Sequence, residues 1–422
     1  MNTPLNTHIA YRDQQLHIES LTVGQIAEQI ETPFYCYSKA MLLDNIQTCR
    51  DAFGRYGIDI HYAVKANSNL TLLSLIATQG LGVDLVSGGE LKRVARAGVP
   101  GDSMVFSGVG KTQTELRDAL LKGVGRINVE SAEELAVLAD IAAEMNVSAQ
   151  VSLRVNPDVA ANTHAHITTG TKGNKFGIEP AQAIELMAEY AAHPFLCVDG
   201  LAMHIGSQIC DIEPYRQAVT RLVDLAQQVI GDDYPVNHLD LGGGFGVDYG
   251  DGQALSLESV AQAIAEITES FGGSVSVEPG RFLVANIGML VSRVVYVKET
   301  EPLPFAILDA GMTDLMRPAL YQARHQTVPV KQRAESDDVR AYDVVGPVCE
   351  STDTFSRGEL LPASLAEGEL VVFLSAGAYC AVMSNSYNSR TIPAELLVDG
   401  DEVSVIRHAI TQDALLAYEE TP

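Results

Sequence analysis

The chain has 422 residues, of which 46% are hydrophobic and 19% charged, and its formal net charge is −26. This length allows two domains with substantial cores, and the composition is typical of a globular enzyme. The acidic charge argues against nucleic acid and anionic membrane as partners, because both would repel such a surface. No apolar run approaches the roughly 18 residues that a membrane-spanning helix needs.

Six cysteines are scattered along the chain without a CxxC or other paired spacing. Such spacing indicates neither a disulfide framework nor a zinc site, and we expect no metal centre of another kind. Unpaired cysteines fit a reducing compartment. We therefore expect a cytoplasmic protein that acts on a small molecule.

The first part of the chain predicts short β-strands, such as Gln15–Ile18, and a helix over Val23–Ile30. A second helical pattern runs from Ser38 to Phe53. The segment IDIHYAVKANSN, residues 58–69, then shows alternating and β-branched residues that end abruptly at Lys65. The Ala-Asn-Ser-Asn that follows consists of turn and cap residues, so this lysine is predicted at the last position of a strand.

Apolar, strand-like runs recur from this point with a gap after each one that can hold a single helix. The predicted strand ends lie near Lys65, Ser87, Ser107, Glu130, Asn156, His204, Gly242 and Glu278. Parallel strands require such crossover helices, and eight β/α units in about 240 residues predict a (β/α)₈ barrel of the α/β class. A doubly wound sheet is the alternative, but the segment GGGFGV does not fit its dinucleotide fingerprint G-x-G-x-x-G.

Local signals mark the starts and ends of these helices independently of the strand pattern. Capping-box spacing occurs at Ser87-x-x-Glu90, Thr112-x-x-Glu115 and Ser131-x-x-Glu134. Each of these follows a predicted strand end or its loop, where a helix should begin. Glycines 80, 98 and 123 stand where the helices should end.

The pattern changes after Phe282, where short apolar runs are separated by Gly, Pro and Asp. These runs are Met289–Val297, Phe305–Leu308, Val339–Val345, Val371–Leu374 and Val403–Ile406. They predict an antiparallel, all-β domain of barrel or sandwich type. We therefore expect residues 37–283 to form the barrel, and residues 1–36 and 284–422 to form the β domain together.

Barrel enzymes carry their chemistry at the C-terminal ends of the strands, so the polar residues there are the candidate site. They are Lys65, Asp84, Arg154, His204, Ser207, Gly243, Gly244, Glu278, Pro279, Gly280 and Arg281. Desolvation disfavours the charged form of a lysine and makes its amine a usable nucleophile toward carbonyl carbons. A strand-end lysine taken alone more often extends its amine to water.

The other candidates also have two interpretations each. The glycine run 242–246 is either a flexible turn or a cradle of N–H groups for an anion, and the position of Arg281 just beyond the next strand favours a phosphate. Glu278 could pair with a pyridinium nitrogen or form a salt bridge with Arg154 or Arg281. His204 could be a buried core histidine or could stack on a cofactor ring.

These groups belong to a longer series of motifs that spans nearly the whole chain. The motifs are YAVKANSN (62–69), LRVNPD (153–158), the T-H…TG…KFG segment (163–177), HIGSQ (204–208), LGGGFG (241–246), EPGRF (278–282), DAGMTDLMRPALY (309–321), GPVCESTD (346–353), GAY (377–379) and YNSR (387–390). In this order they resemble the fold type III pyridoxal-phosphate decarboxylases, and most closely the branch that acts on diaminopimelate. The one departure is Gly173-Asn174-Lys175 before the KFG sequence, where Ser or Asp-Ser is usual.

The resemblance implies pyridoxal 5′-phosphate as the cofactor, covalently bound by Lys65, with His204 against its ring and Glu278 at its ring nitrogen. The phosphate would be surrounded by Ser207, Gly243, Gly244, Arg281 and Tyr379. Cys349 would return a proton to the decarboxylated carbon, and Glu350 would contact the substrate amine. In this family the last two residues serve the site of the partner subunit, which implies an obligate homodimer with shared active sites.

The substrate should be decided by the residues around its far end. The resemblance assigns substrate contacts to Arg281, Arg317, Tyr321, Glu350 and Tyr379. The planar guanidinium of Arg317 suits a distal carboxylate, whereas ornithine or arginine would need an acidic or polar pocket; a surface ion pair is the other interpretation of Arg317. A related polyamine-pathway decarboxylase, a racemase of similar barrel and a non-catalytic pyridoxal-phosphate carrier are the alternative functions.

Overall fold

The computed structural model describes residues 3–159, 175–332 and 338–420. The chain forms two compact units. The barrel unit consists of Ile46–Val247 and Gln253–Phe282, and the β unit consists of Met1–Asn45, Asp248–Gly252 and Leu283–Pro422. The predicted limits of the two domains, as regions that fold separately, stay a prediction.

The first elements of the chain are five short strands and two helices. In order they are β1 (Thr3–Pro4), β2 (Ile9–Arg12), β3 (Gln15–Ile18), β4 (Leu21–Thr22), α1 (Val23–Ala27), β5 (Phe34–Ser38) and α2 (Lys39–Phe53). Helix α1 is one turn shorter than the sequence pattern predicts. Thr22 caps its N-terminus with a full capping box, in which the Gln25 side chain returns a hydrogen bond to the cap backbone.

Eight parallel strands of the described barrel unit close into a ring in the order β10-β11-β12-β13-β6-β7-β8-β9. The strands are β6 (Ile58–Ala63), β7 (Gly82–Leu85), β8 (Met104–Phe106), β9 (Arg126–Val129), β10 (Ala149–Arg154), β11 (Leu196–Ala202), β12 (His238–Asp240) and β13 (Ser274–Val277). The first and last strands pair with Val277 opposite Ile60. The predicted (β/α)₈ barrel is confirmed.

Helices separate successive strands, as parallel pairing requires. They are α3 (Leu70–Thr78), α4 (Gly88–Arg96), α5 (Gln113–Leu121), α6 (Ala132–Met145), α7 (Pro180–Tyr190), α8 (Ile212–Gly231), α9 (Leu257–Thr268) and α10 (Arg281–Val284). Ser87, Thr112 and Ser131 are the N-caps of α4, α5 and α6. The reciprocal bond of a capping box is present at Thr112, whereas Glu90 accepts its bond from the N–H of Val86, outside the helix.

The remaining strands form a mixed sheet in the β unit. They are β14 (Gly288–Lys298), β15 (Phe305–Leu308), β16 (Thr327–Pro329), β17 (Val339–Val345), β18 (Thr354–Pro362), β19 (Leu370–Phe373), β20 (Ala394–Asp399) and β21 (Glu402–Arg407), with short helices α11 (Arg317–Tyr321) and α12 (Gln412–Leu416). The order is β18-β17-β15-β14-β5-β20-β21, and β16 pairs with β19, which pairs with β14.

The prediction of a second, mainly β region built from both ends of the chain is confirmed, but its antiparallel character is wrong for two pairs. Strands β5 and β20 are parallel, and so are β15 and β17. The N-terminal strand β5 lies between β14 and β20, antiparallel to β14 and parallel to β20. A local alternation of apolar residues carries no information about strand direction, so the sequence could not indicate this.

The core of the β unit is apolar and draws on both ends of the chain. Its buried residues include Ile9, Leu16, Ile18, Val23, Phe34, Met289, Val291, Val372, Leu396 and Val398. Burying such side chains stabilises the fold by about 1.5–3 kcal/mol each. In the part of the chain that the structure describes, every helix is too short or too polar to cross a membrane.

Candidate active site

Lys65 lies in a single 3₁₀ turn, Val64–Ala66, that directly follows β6. The sequence predicts this lysine at the last position of the strand. In the structure it lies two residues beyond the strand end. Its Nζ lies 3.7 Å from Oδ2 of Asp84, a buried residue of the neighbouring strand β7. The lysine side chain is 35% exposed and that of Asp84 0% exposed, so the amine combines access from solvent with a buried carboxyl partner.

The turn that carries Glu278 packs directly on the turn that carries Lys65. Ring closure pairs β13 with β6, and the N–H of Ala63 donates to the carbonyl of Pro279 at 3.3 Å. A Cβ on Gly280 would lie 3.0 Å from the Cβ of Ala63. Gly280 thus allows the two turns to approach, and this contact brings the lysine and the carboxylate to the same edge of the ring.

Glu278 is buried, and its Oε1 has no hydrogen-bond partner. Burial raises its pKa well above the ordinary value, and the nearby carboxylates of Asp240 and Asp84 raise it further, against the influence of Lys65. Burial also raises the pKa of Asp84, while Lys65 lowers it. Glu278 therefore keeps a proton to higher pH than an exposed glutamate and can share it with a basic group.

The glycine loop after β12 lies against the backbone of the neighbouring strand ends. Gly242 and Gly244 have φ of 64° and 92°, in the left-handed region that favours glycine. A Cβ on Gly243 would lie 2.0 Å from the carbonyl oxygen of Glu278, and one on Gly244 would lie 2.1 Å from that of Gly206. Side chains are excluded at Gly243 and Gly244, so the backbone there can closely approach a bound group.

His204 lies beside this loop, two residues after the end of β11. Its Nδ1 accepts the N–H of Gly243 at 3.3 Å, so a neutral ring carries its proton on Nε2. Burial, then Lys65 and Arg154, lower the pKa of His204 well below its ordinary value. The imidazole is thus a neutral aromatic ring. In this structure the Gly243 amide donates to His204. The contact of Gly243 with a phosphate stays a prediction.

Two arginines predicted at the site make different contacts. The Nη2 of Arg281 donates to the hydroxyl of Ser207 at 2.8 Å, which joins the loop after β11 to the turn after β13. The Nη1 of Arg154 lies 2.7 Å from Glu130, and its guanidinium stacks over Phe176 at 4.7 Å. One interpretation of the sequence expected a salt bridge between Arg154 and Glu278. In the structure Arg154 pairs with Glu130 instead.

Some residues of this site were not predicted from the sequence. Asp240 accepts the N–H of Gly242 and the amide of Asn128, at 3.0 and 2.8 Å, and so supports the glycine loop from below. Glu130 also accepts the N–H groups of Gly108 and Gly177. The sequence signal that could have indicated Asp240 and Glu130 is a charged residue at the end of an apolar run. Residues 160–174 of the motif 163–177 lie outside the described residues.

Arg317 and Tyr321 lie on helix α11 of the β unit. Arg317 is only 5% exposed, and its guanidinium stacks over the ring of Tyr249 at 4.6 Å. Its Nη1 lies 2.7 Å from the Nε2 of His325. None of the ion pairs among the described residues includes Arg317, so the surface ion pair considered from the sequence is not formed.

Cys349 and Glu350 lie on an exposed loop between β17 and β18. The N–H of Cys349 donates to the Asn388 side chain at 3.0 Å, and the hydroxyl of Tyr387 donates to Glu350 at 2.6 Å. The buried Asp353 holds the base of this loop by accepting the N–H of Val348 at 2.6 Å. The loop is thus anchored while its thiol and carboxylate face solvent.

Tyr379 lies in the GAY turn of the β unit and has φ of 57°, a conformation that is uncommon for a residue with a side chain. Gly377 precedes it, and a Cβ there would lie 1.8 Å from the carbonyl oxygen of Val284. The turn is therefore fixed against the backbone of its own unit. Backbone strain of this kind often accompanies functional positions.

A closed parallel barrel with a lysine, a buried carboxylate and a glycine loop at the C-terminal ends of its strands defines a barrel enzyme with a nucleophilic amine and an anion cradle. Residues 40–285 match the family described as pyridoxal-dependent decarboxylase, pyridoxal binding domain. The chain belongs to this family of decarboxylases.

Individual relatives cover nearly all of the chain. It is 46% identical to a diaminopimelate decarboxylase of Pseudomonas aeruginosa, over 97% of this chain and 98% of that protein. The crystal structure of diaminopimelate decarboxylase from m. jannaschii in complex with L-lysine is 32% identical, with a TM-score of 0.94, and covers 99% of this chain and 98% of its own. The corresponding Helicobacter pylori structure with L-lysine is 36% identical, with a TM-score of 0.89, over 93% and 98%.

Proposed function

We propose that the protein removes one carboxyl group from meso-2,6-diaminopimelate and releases L-lysine and CO₂, with pyridoxal 5′-phosphate as its cofactor. The observation that carries the choice of substrate is Arg317, a buried guanidinium outside every ion pair of the described residues. A buried cation of this kind is stabilised by an anionic ligand. Diaminopimelate carries a carboxylate at its far end, whereas the tails of ornithine and arginine are only cationic.

The barrel residues fit the proposed cofactor. The unpartnered Oε1 of Glu278 offers a buried acid to a basic ring nitrogen, and the Cβ-excluding loop at Gly243 and Gly244 offers a cradle to a phosphate. Arg281, joined to Ser207, supplies positive charge beside that cradle. Lys65 supplies the amine that would bind the aldehyde carbon. When bound, this cofactor supplies an electron sink for the carbanion that decarboxylation leaves.

The remaining chemistry would be carried by side chains of the barrel unit. Glu278 would hold the proton shared with the ring nitrogen, because burial and neighbouring carboxylates favour its protonated form. His204, neutral and oriented by Gly243, would present a flat apolar face to the ring. Asp84 would hold the Lys65 amine in place before it reacts.

The proton that replaces CO₂ would come from the Cys349 thiol of a partner subunit in a homodimer. Support comes from the exposure of this anchored thiol and of its neighbour Glu350. A proton donor of an active site is expected to be covered, so an exposed one fits a site completed by a second copy. Glu350 would contact the substrate amine, and Tyr387 would orient it.

We also propose a cytoplasmic location. The six cysteines all lie in the described ranges and none of them forms a disulfide, which fits a reducing compartment. A small-molecule substrate and a second copy of the chain are the partners that this function requires.

The test is CO₂ release by the cofactor-loaded protein from the stereoisomers of diaminopimelate, compared with ornithine, arginine and lysine. We expect release from the meso isomer to be fastest, with an equal yield of L-lysine. Faster release from ornithine or arginine would replace the substrate assignment with a polyamine-pathway decarboxylase. Cofactor binding without CO₂ from any of these compounds would mean a carrier protein.

A further inference from the structure

His325 is a buried histidine of the β unit that lies in contact with Arg317. It stands outside the motifs found in the sequence, and no role was predicted for it. Its Nδ1 lies 2.9 Å from the carbonyl oxygen of Leu374, and its Nε2 lies 2.7 Å from the Nη1 of Arg317. The residue is 3% exposed, and its ring also meets the ring of Tyr249 edge to face, with centroids 5.3 Å apart.

These two contacts fix the protonation state of the imidazole. A backbone carbonyl only accepts, so Nδ1 must carry a proton and donate it to Leu374. A guanidinium only donates, so Nε2 must offer its lone pair to Arg317. The ring that satisfies both contacts is neutral, with its proton on Nδ1.

A neutral acceptor orients a guanidinium without neutralising it. A carboxylate in the place of His325 would form a buried ion pair with Arg317 and would compete with any carboxylate of a ligand. The aromatic face of Tyr249 likewise stabilises the cation and leaves its charge uncompensated. The arrangement keeps the positive charge of Arg317 available in a fixed direction.

The backbone holds His325 in this position. It lies two residues before β16, and Leu374 directly follows β19, to which β16 is paired with Thr327 opposite Phe373. The N–H of Leu374 donates to the carbonyl of Gln326 at 3.0 Å. The histidine is thus attached to the sheet of the β unit, and the direction of the guanidinium follows from the sheet.

We propose that His325 is a positioning residue that aims Arg317 at the distal carboxylate of the substrate and so contributes to the selection of a dicarboxylate. This inference rests on the proposed function. Because the product is L-lysine, the carboxylate that Arg317 would bind is the one retained in L-lysine. Cadaverine, which has the same chain without that carboxylate, is the matching ligand that should not depend on His325.

Two amide substitutions separate the two contacts of the ring. Asparagine can place its NH₂ near the position of Nδ1 and keep the bond to Leu374, but it is too short to reach Arg317. Glutamine can place its oxygen near the position of Nε2 and keep the acceptor for Arg317. His408→Asn, at an exposed histidine of the same unit, is the matched control.

The measurement is the affinity of the cofactor-loaded protein for L-lysine and for cadaverine by titration calorimetry, with thermal unfolding of each variant. We expect His325→Asn to weaken L-lysine about tenfold or more and to leave cadaverine within about twofold, because one charged hydrogen bond is lost. His325→Gln should recover most of the L-lysine affinity, and His408→Asn should equal the wild type.

The outcomes distinguish this inference from the proposed function. Equal weakening of both ligands by His325→Asn, or no weakening of L-lysine, would overturn the positioning role. A lower unfolding temperature for both variants with unchanged ligand affinities would assign His325 to structure alone. Failure of the wild type to decarboxylate meso-diaminopimelate would instead overturn the proposed function, whatever the two variants do.

Discussion

Single residues of the barrel unit combine opposite protonation preferences at one edge of the ring. Burial favours the protonated form of Glu278 and the neutral form of His204. At the same edge, the Lys65 amine lies 3.7 Å from Asp84, an aspartate with no exposed surface. Each preference has a visible physical cause, so the reactivity of the site follows from burial and charge at a few positions.

The first prediction concerns the amine. Lys65→Ala should abolish the covalent attachment of pyridoxal phosphate that borohydride reduction makes permanent, because the amine that binds the aldehyde carbon is removed. Absorption spectra before and after reduction, followed by peptide mapping of the label, would check this. Lys92→Ala, at an exposed lysine of α4, should leave both the spectrum and the labelled peptide unchanged. A label on a different lysine in the wild type would contradict the assignment.

The second prediction concerns the distal carboxylate. Arg317→Ala should reduce kcat/KM for meso-diaminopimelate by roughly 30-fold to several-thousand-fold, because a buried charged contact of about 2–5 kcal/mol is lost. Decarboxylation of D-lysine, whose reacting centre is the same but whose tail has no carboxylate, should change little. Equal losses for both substrates would place Arg317 outside the substrate pocket.

The identities of most candidate residues could be predicted from the sequence, but their partners could not. Lys65 and Glu278 stand at the ends of apolar runs, and a barrel places all such ends on one side. Arg154 was predicted at the site, yet its partner Glu130 depends on how strands β9 and β10 are aligned. The contact between Arg317 and His325 depends on the pairing of β16 with β19, which no local pattern specifies.

Among the elements, the loops after the strands impose stricter requirements than the helices do. The helix caps at Ser87, Thr112 and Ser131 have the residue types and spacing that the sequence predicts. The glycine loop was recognisable as a run of small residues, but the reason for each glycine is a neighbouring backbone atom. That reason appears only when the strands are assembled.

Gly243→Ala tests this requirement. Its Cβ would lie 2.0 Å from the carbonyl oxygen of Glu278, and the nearest atoms all belong to the backbone of Glu278 and Pro279, so no flexible side chain can yield. We expect a loss of stability of about 1–3 kcal/mol and weaker cofactor binding, because the loop must shift. Chemical denaturation and cofactor titration would measure both. Gly110→Ala is the control, since a Cβ there has no heavy atom within 4 Å, and wild-type behaviour of Gly243→Ala would contradict the packing argument.

The N-terminal turn of α4 should make stability depend on pH. Burial raises the pKa of Glu90 from 4.5 to about 7, although its bond from the N–H of Val86 lowers it. The unfolded glutamate therefore loses its proton above pH 4.5, whereas the folded one keeps it until about pH 7. Since the folded state binds more protons in this window, its stability should fall as pH rises through it and level off above.

Glu90→Gln removes this titration and keeps an oxygen for the Val86 N–H. We expect the decrease in unfolding free energy between pH 5 and pH 8 to be smaller in the variant, by about 2–3 kcal/mol. Urea denaturation at both pH values would measure the difference. Glu179→Gln, at an exposed glutamate, should keep the wild-type pH dependence, and an unchanged slope for Glu90→Gln would show that Glu90 is not the titrating group.

For the whole molecule, the eightfold strand rhythm was sufficient to predict the barrel, because each β/α unit repeats within a short stretch of sequence. The second unit was harder to predict. Its sheet joins Phe34–Ser38 to Ala394–Asp399 in parallel, and apolar alternation specifies neither the partner nor the direction of such a pair.

The proposed sharing of active sites between two subunits predicts complementation between inactive variants. Lys65→Ala and Cys349→Ala should each be inactive as homodimers, but a mixed dimer has one site with an intact lysine and an intact cysteine. Equal mixing should give about half mixed dimers and therefore restore about a quarter of wild-type activity, for independent sites and two-fold symmetric pairing. Native mass spectrometry would establish that exchange is complete.

The control is a chain that carries both substitutions, which should rescue neither single variant. If exchange is complete and activity stays at the level of the separate variants, each subunit builds its site alone. The role of Cys349 in the partner's site would then be wrong, while decarboxylation itself would be unaffected.

The pairing of β13 with β6 has a consequence for the order of events during synthesis of the chain. Lys65 is made early, but Glu278 follows the last strand of the ring, so the two meet only after Val277 is opposite Ile60. Likewise β5, near the start of the chain, acquires its neighbour β20 only when residues 394–399 have been made. A chain emerging from the ribosome therefore holds an open ring until its last barrel strand has been made, and Lys65 and Glu278 can bind a cofactor together only after that point.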